Sequence, residues 1–169
     1  MVGAVERGRR VRTLLERLGA RVPGVSGYLE RELYREADEA LRHHLAAGLD
    51  GARREVAAAM ASLSLAQAAQ LDRLNGIHKE LDALACRLRA AGSGYAGLFD
   101  AFKVREEQLA QLYELDLSLA EEVEAIGEAT RRRAEGWESH VEELLERLRL
   151  AIDRRPQVVQ GLLHQGGSS

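Results

Sequence analysis

Two apolar ridges flank the stretch "GSGYAG" (92–97), and they mirror each other about it. Before it, Val56, Met60, Leu63, Gln67, Gln70, Leu74, Ile77, Leu81, Leu84 and Leu88 recur in alternating steps of four and three. After it, Leu98, Phe102, Arg105, Leu109, Leu112, Asp116, Leu119, Val123 and Ile126 do the same. That spacing is the heptad seam of a coiled coil. Folding the chain at Ser93 with antiparallel arms sets Leu88 against Leu98, Ile77 against Leu109 and Met60 against Ile126. The mirror continues outward, where Leu49 meets Trp137, Leu45 meets Val141, Leu41 meets Leu145 and Tyr34 meets Ile152. The expected fold is therefore all-α: a long antiparallel coiled-coil helical hairpin over 27–155 with its turn at about 92–97. An amphipathic helix in 1–22 precedes it, and a flexible tail (156–169) follows Pro156.

Composition agrees with helices. Aromatic residues make up only 4% of the 169, and Leu and Ala dominate the apolar share of 46%, whereas strands favour aromatic and β-branched side chains. Glycines punctuate both arms, Gly48 and Gly51 on one, Gly127 and Gly136 on the other. Each costs up to about 1 kcal/mol inside a helix relative to Ala. Either the hairpin bends there, or both arms break and fold back into a three- or four-helix bundle. The elongated form, with an arm of roughly 95 Å at 1.5 Å per residue, is the preferred reading. A second stripe of small residues, Ala57, Ala61, Ser64, Ala68 and Leu71, widens the apolar face, so the N-terminal helix or a second subunit should cover it.

The glycine stretch matches the fingerprint of dinucleotide-binding loops, which works only between a strand and a helix. Here a helical heptad, "HKELDALACRLRAA", precedes it, so a turn is expected and no cofactor. Tyr95, Leu98 and Phe99 are then the apolar tip of the hairpin, available to a protein partner. Asp116 falls on the seam facing Gln70, a polar layer that would fix the register. His43, His44, His140, Glu142 and Glu143 reach one level if the outer arms pair, but they lack the Glu-x-x-His spacing of di-iron bundles and read as solvated surface. Arg53, Arg54, Arg131, Arg132 and Arg133 also share a level; they form either an anion site or, preferably, a belt neutralised by Glu55, Glu128 and Glu135. No nucleophile–base pair is discernible and no catalytic residue is expected.

The formal charge of −3 gives no push toward nucleic acid or anionic lipid. Cys86, the single cysteine, falls at an outward heptad position and cannot form an internal disulfide, which points to a reducing, cytoplasmic home. No apolar run approaches the roughly 20 residues that span a bilayer, and no signal peptide is readable. The arginines of the first helix, among them Arg7, Arg9, Arg12 and Arg17, suit an anionic membrane surface, but its apolar face is short and docking on the protein is preferred.

"SGYLERELYREADEALRHHL", "GSGYAGLFDAFKV" and "LYELDLSL" resemble segments of a group of short, uncharacterised helical proteins from bacteria and archaea. In that group a Gly-Tyr-x-x-(Arg/Lys)-Glu start, a Tyr-x-Gly-x-Phe hairpin tip and a Leu-Tyr-x-x-Asp stretch recur. The resemblance covers about two thirds of the chain and implies no activity. In shape alone, a long helical hairpin is similar to the membrane-stress proteins of the phage-shock type. The function expected is that of a non-catalytic interaction or scaffold module, self-associating through Ala57, Ala61 and Ala68 and meeting a partner through its tip. A peripheral membrane protein is the alternative, and a metal-binding helical protein the third reading. Neither nucleic acid nor a small-molecule ligand is expected.

Overall fold

The computed structural model describes residues 2–25, 31–91 and 106–164. They form α1 (Val2–Arg21), α2 (Arg31–Ala61), a 3-10 turn (Leu65–Gln67), α3 (Ala68–Ala90), α4 (Glu106–Arg132) and α5 (Trp137–His164). No strand occurs among the described residues. The chain is all-α, as its Leu- and Ala-rich ridges require.

Both expected arms break. Between α2 and α3 the seam runs on in sequence, but local hydrogen bonds stop the helix. The Ser62 hydroxyl donates to the Ala59 carbonyl at 2.7 Å. The backbone N–H of Ser64 and its hydroxyl both donate to Gln67 Oε1, at 3.1 and 3.0 Å. Such side chains offer the backbone an alternative to the helical ladder. Between α4 and α5, Arg133 (φ 48°) and Gly136 (φ 74°) take left-handed backbone, a common helix stop. Arg133 is tied there because its guanidinium donates to the Thr130 carbonyl at 3.1 Å and to the Glu55 carbonyl of α2 at 2.8 Å. After α1, Pro23 and Gly24 (φ 93°) end the helix as expected.

Of the four glycines expected to mark the breaks, Gly136 does and the other three do not. Gly48, Gly51 and Gly127 all lie inside helices. Gly48 instead allows α2 to approach α4: a Cβ there would collide with Cγ1 of Val123, whereas one on Gly127 or Gly76 would meet nothing within 4 Å. Pro156 does not end the last helix either. α5 continues through it to His164, at the cost of one backbone donor, and buried Arg155 and Val159 flank it.

α2 and α3 form one antiparallel hairpin, α4 and α5 another. The hairpins stack with α2 on α4 and α3 on α5, and α1 lies along the outside of α4. The result is a four-helix bundle plus one helix, in which α3 and α4 face each other only across a diagonal. Ion pairs fix the directions. Arg73 meets Glu142 and Arg87 meets Asp153, so α3 and α5 run parallel. Arg10 meets Glu114 and Arg17 meets Glu121, so α1 and α4 run parallel too.

This corrects the expected pairing about Ser93. Leu74, Ile77, Leu81, Leu84 and Leu88 are buried, as are Leu109, Leu112, Leu119, Val123 and Ile126. The ridges are core, but each packs on other helices rather than along the other ridge. The compact alternative is the one found. The turn at 92–97, with Tyr95, Leu98 and Phe99, lies outside the described residues, as does the tail from 165 on.

Candidate functional site: a buried charge network beside a cavity

Four charged side chains lie within the core at the end of the bundle where α3 finishes: Asp38 and Arg42 of α2, Asp116 of α4 and Arg155 of α5. Asp116 is fully buried, and the other three are 6–7% exposed. Helical spacing places each on an apolar face. Asp38 and Arg42 are one turn apart beside Ala37, Leu41 and Leu45, and Arg155 continues the stripe of Leu148 and Ile152 towards Val159.

Arg155 grips Asp116 with a two-pronged fork, Nε to Oδ1 at 2.7 Å and Nη2 to Oδ2 at 3.2 Å. Its Nη1 lies 2.7 Å from Asp38 Oδ1. Asp38 Oδ2 in turn accepts from Arg42 Nε at 2.8 Å. Arg42 Nη1 then donates to the carbonyls of Leu88 and Arg89, at 3.2 and 3.4 Å, in the last turn of α3. Carbonyls in the last turn of a helix carry the negative end of the helix dipole, so a guanidinium is a fitting cap. The chain of contacts thus ties α2, α3, α4 and α5 together, with two cations matched to two anions.

Isolated charges of this kind could not stay in a core. Burial works against the Arg155 cation, but Asp116 and Asp38 outweigh it and hold the guanidinium firmly charged. Burial pushes the Asp116 carboxyl above the ordinary range; Arg155 pulls it back in part, and the Asp38 charge adds to the rise. Every carboxylate in the network is engaged by a guanidinium, so the arrangement suits locking helices rather than proton transfer.

Beside the network is a cavity of about 160 Å³. Leu41, Leu45, Leu88, Leu119, Ile152 and Pro156 supply its apolar wall, and Arg42, Arg87, Arg155 and Asp153 its charged part.

The residues singled out from sequence are distributed differently. Asp116 was expected opposite Gln70, but Gln70 donates to Glu138 at 2.8 Å and Asp116 meets Arg155. Arg155, Asp38 and Arg42 were missed. The signal was present: a charge at a seam position calls for an opposite charge on another seam, and Arg155 is one. Of the arginine belt, Arg53 pairs with Asp50 and Asp82, Arg132 with Glu128 and Arg133 with Glu55, while Arg54 and Arg131 are exposed. His43 and His140 are exposed on different helices, Glu142 pairs with Arg73, and no metal-holding group of His, Cys, Asp or Glu occurs among the described residues. Arg73 holds the Glu142 carboxyl below its usual range despite slight desolvation. Cys86 is exposed, just before Arg87 and Arg89, which pair with Asp153 and Asp50. Ala57, Ala61 and Ala68 are exposed. Among the described residues, no helix is long and apolar enough to cross a membrane.

The chain matches no family model, no curated protein and no solved structure.

Proposed function

We propose that this protein is a non-catalytic helical scaffold that works as a self-associating module, with a second copy of the chain covering the small-residue stripe at Ala57, Ala61 and Ala68. One observation carries the reading. The stripe called for either α1 or another subunit, and α1 is committed elsewhere. Its Leu14 and Leu18 are buried, the helix packs on α4, and Arg17 and Arg21 meet Glu121 and Glu124. The alanines therefore stay exposed on α2 and α3. Small side chains at a contact let two helices approach closely. The same commitment of α1 weighs against the membrane-surface alternative. The resemblance to uncharacterised helical proteins of bacteria and archaea is compatible with a scaffold and adds no activity.

Sedimentation equilibrium tests this reading. The full chain is expected at about twice its 18.6 kDa mass. Ala57→Arg with Ala61→Arg should return it to a monomer without loss of helicity, because both positions are exposed. A wild-type protein that stays monomeric at about 0.1 mM, a concentration at which a weak dimer would assemble, overturns the proposal.

A further inference from the structure

The cavity beside the charge network has a composition of its own. At about 160 Å³ it is close to the roughly 150 Å³ of an apolar cavity that accepts benzene. Its body is aliphatic, from Leu41, Leu45, Leu88, Leu119 and Ile152. Its charged lining is unequal: among the described residues Arg42, Arg87 and Arg155 line it, against Asp153. Asp38 and Asp116, which neutralise the buried guanidiniums, bond to them from outside the cavity lining. Arg42 is only 7% exposed, and its bonds to Asp38, Leu88 and Arg89 run through Nε and Nη1. Its Nη2 is engaged by no described residue. Three bonds hold this guanidinium in place, so an N–H group left open beside an apolar cavity is a preorganised donor for an acceptor.

We propose that this cavity binds a small monocarboxylate with an apolar body of about six carbons, the carboxylate on Arg42 Nη2 and Arg87 and the body among the leucines. This departs from the expectation of no small-molecule ligand and is independent of self-association. Arg87 stands at the exposed side, paired with Asp153, and exchanges that partner for the ligand. No step of chemistry is involved: the ligand would be held, and by bridging α2 and α3 it would stabilise the end of the bundle.

Methyl NMR of the full chain, titrated with benzoate, hexanoate and the neutral isostere benzyl alcohol, tests the proposal. Benzoate or hexanoate should give saturable shifts centred on the methyls of Leu41, Leu45, Leu88, Leu119 and Ile152, and the better of the two identifies an aromatic or an aliphatic body. Benzyl alcohol should bind on the order of tenfold more weakly, because it lacks the charge-assisted bond. Arg87→Gln, at a half-exposed position, should weaken carboxylate binding while leaving the free spectrum essentially unchanged. No saturable shift at these methyls up to about 10 mM, a range that would still detect millimolar affinity, overturns the proposal. So does equal binding of the alcohol.

Discussion

Arg155→Met is expected to lower the unfolding free energy near pH 7 by about 3–5 kcal/mol, the usual penalty when one partner of a buried ion network is removed. The substitution keeps much of the side-chain volume, so the loss measures charge rather than a void. It strands Asp116, fully buried, and leaves Asp38 with Arg42 alone. The pH dependence follows from the direction of the Asp116 shift. Its folded pKa already lies above the model-compound value of 3.8 because burial disfavours the anion. A carboxyl raised on folding contributes stability that is complete below its unfolded pKa and is lost as pH rises through its folded pKa. Without Arg155 that rise is larger. The variant should therefore approach the wild type near pH 4 and fall away towards pH 7 in urea denaturation. Adding Asp116→Leu should recover part of the loss, since an apolar group of similar size has no charge to strand. An Arg155→Met protein as stable as the wild type near pH 7 would mean that the network is not buried.

Gly48→Ala should destabilise the protein by about 1–2 kcal/mol, although Gly→Ala inside a helix ordinarily stabilises it by about 0.5–1 kcal/mol. The new methyl would collide with Cγ1 of Val123, a β-branched side chain that helical backbone holds in one rotamer. The same change at Gly76, where nothing lies within 4 Å, should show the ordinary gain. Val123→Ala in the Gly48→Ala background should restore part of the loss, and thermal unfolding of the four proteins gives the coupling directly. Equal effects at the two glycines would mean that α2 and α4 do not touch at this point.

These two sites also show what could be read from the residues alone. The heptad steps identified the buried faces of α3 and α4 correctly, because burial depends on periodicity and periodicity is local. They did not identify the neighbours. A leucine ridge packs on almost any other leucine ridge, so the mirror about Ser93 was satisfied equally well by a bundle in which the ridges face each other diagonally. What selects the bundle is carried by a few polar residues. Ser62, Ser64 and Gln67 end α2 within an unbroken seam, and Ser64 with Gln67 is spaced as a capping box. Arg133 and Gly136 end α4. Gly48, read as a weak point in the helix, is a place of close approach, which one strand of sequence cannot distinguish from a break. Asp116 was legible as a register-fixing charge, but the mirror offered it Gln70. Matching charge to charge would have led to Arg155.

The central claim, that α3 packs between α2 and α5 rather than along α4, is tested most directly by paramagnetic broadening from a nitroxide at position 76, using Gly76→Cys with Cys86→Ser. Position 76 is exposed and lies about one turn beyond Arg73, which pairs with Glu142. The bundle predicts the strongest broadening around 142–146 of α5 and 56–60 of α2, with Leu109 to Tyr113 of α4 spared. Strong broadening at Leu109 to Tyr113, with α5 unaffected, would contradict it and restore the long hairpin.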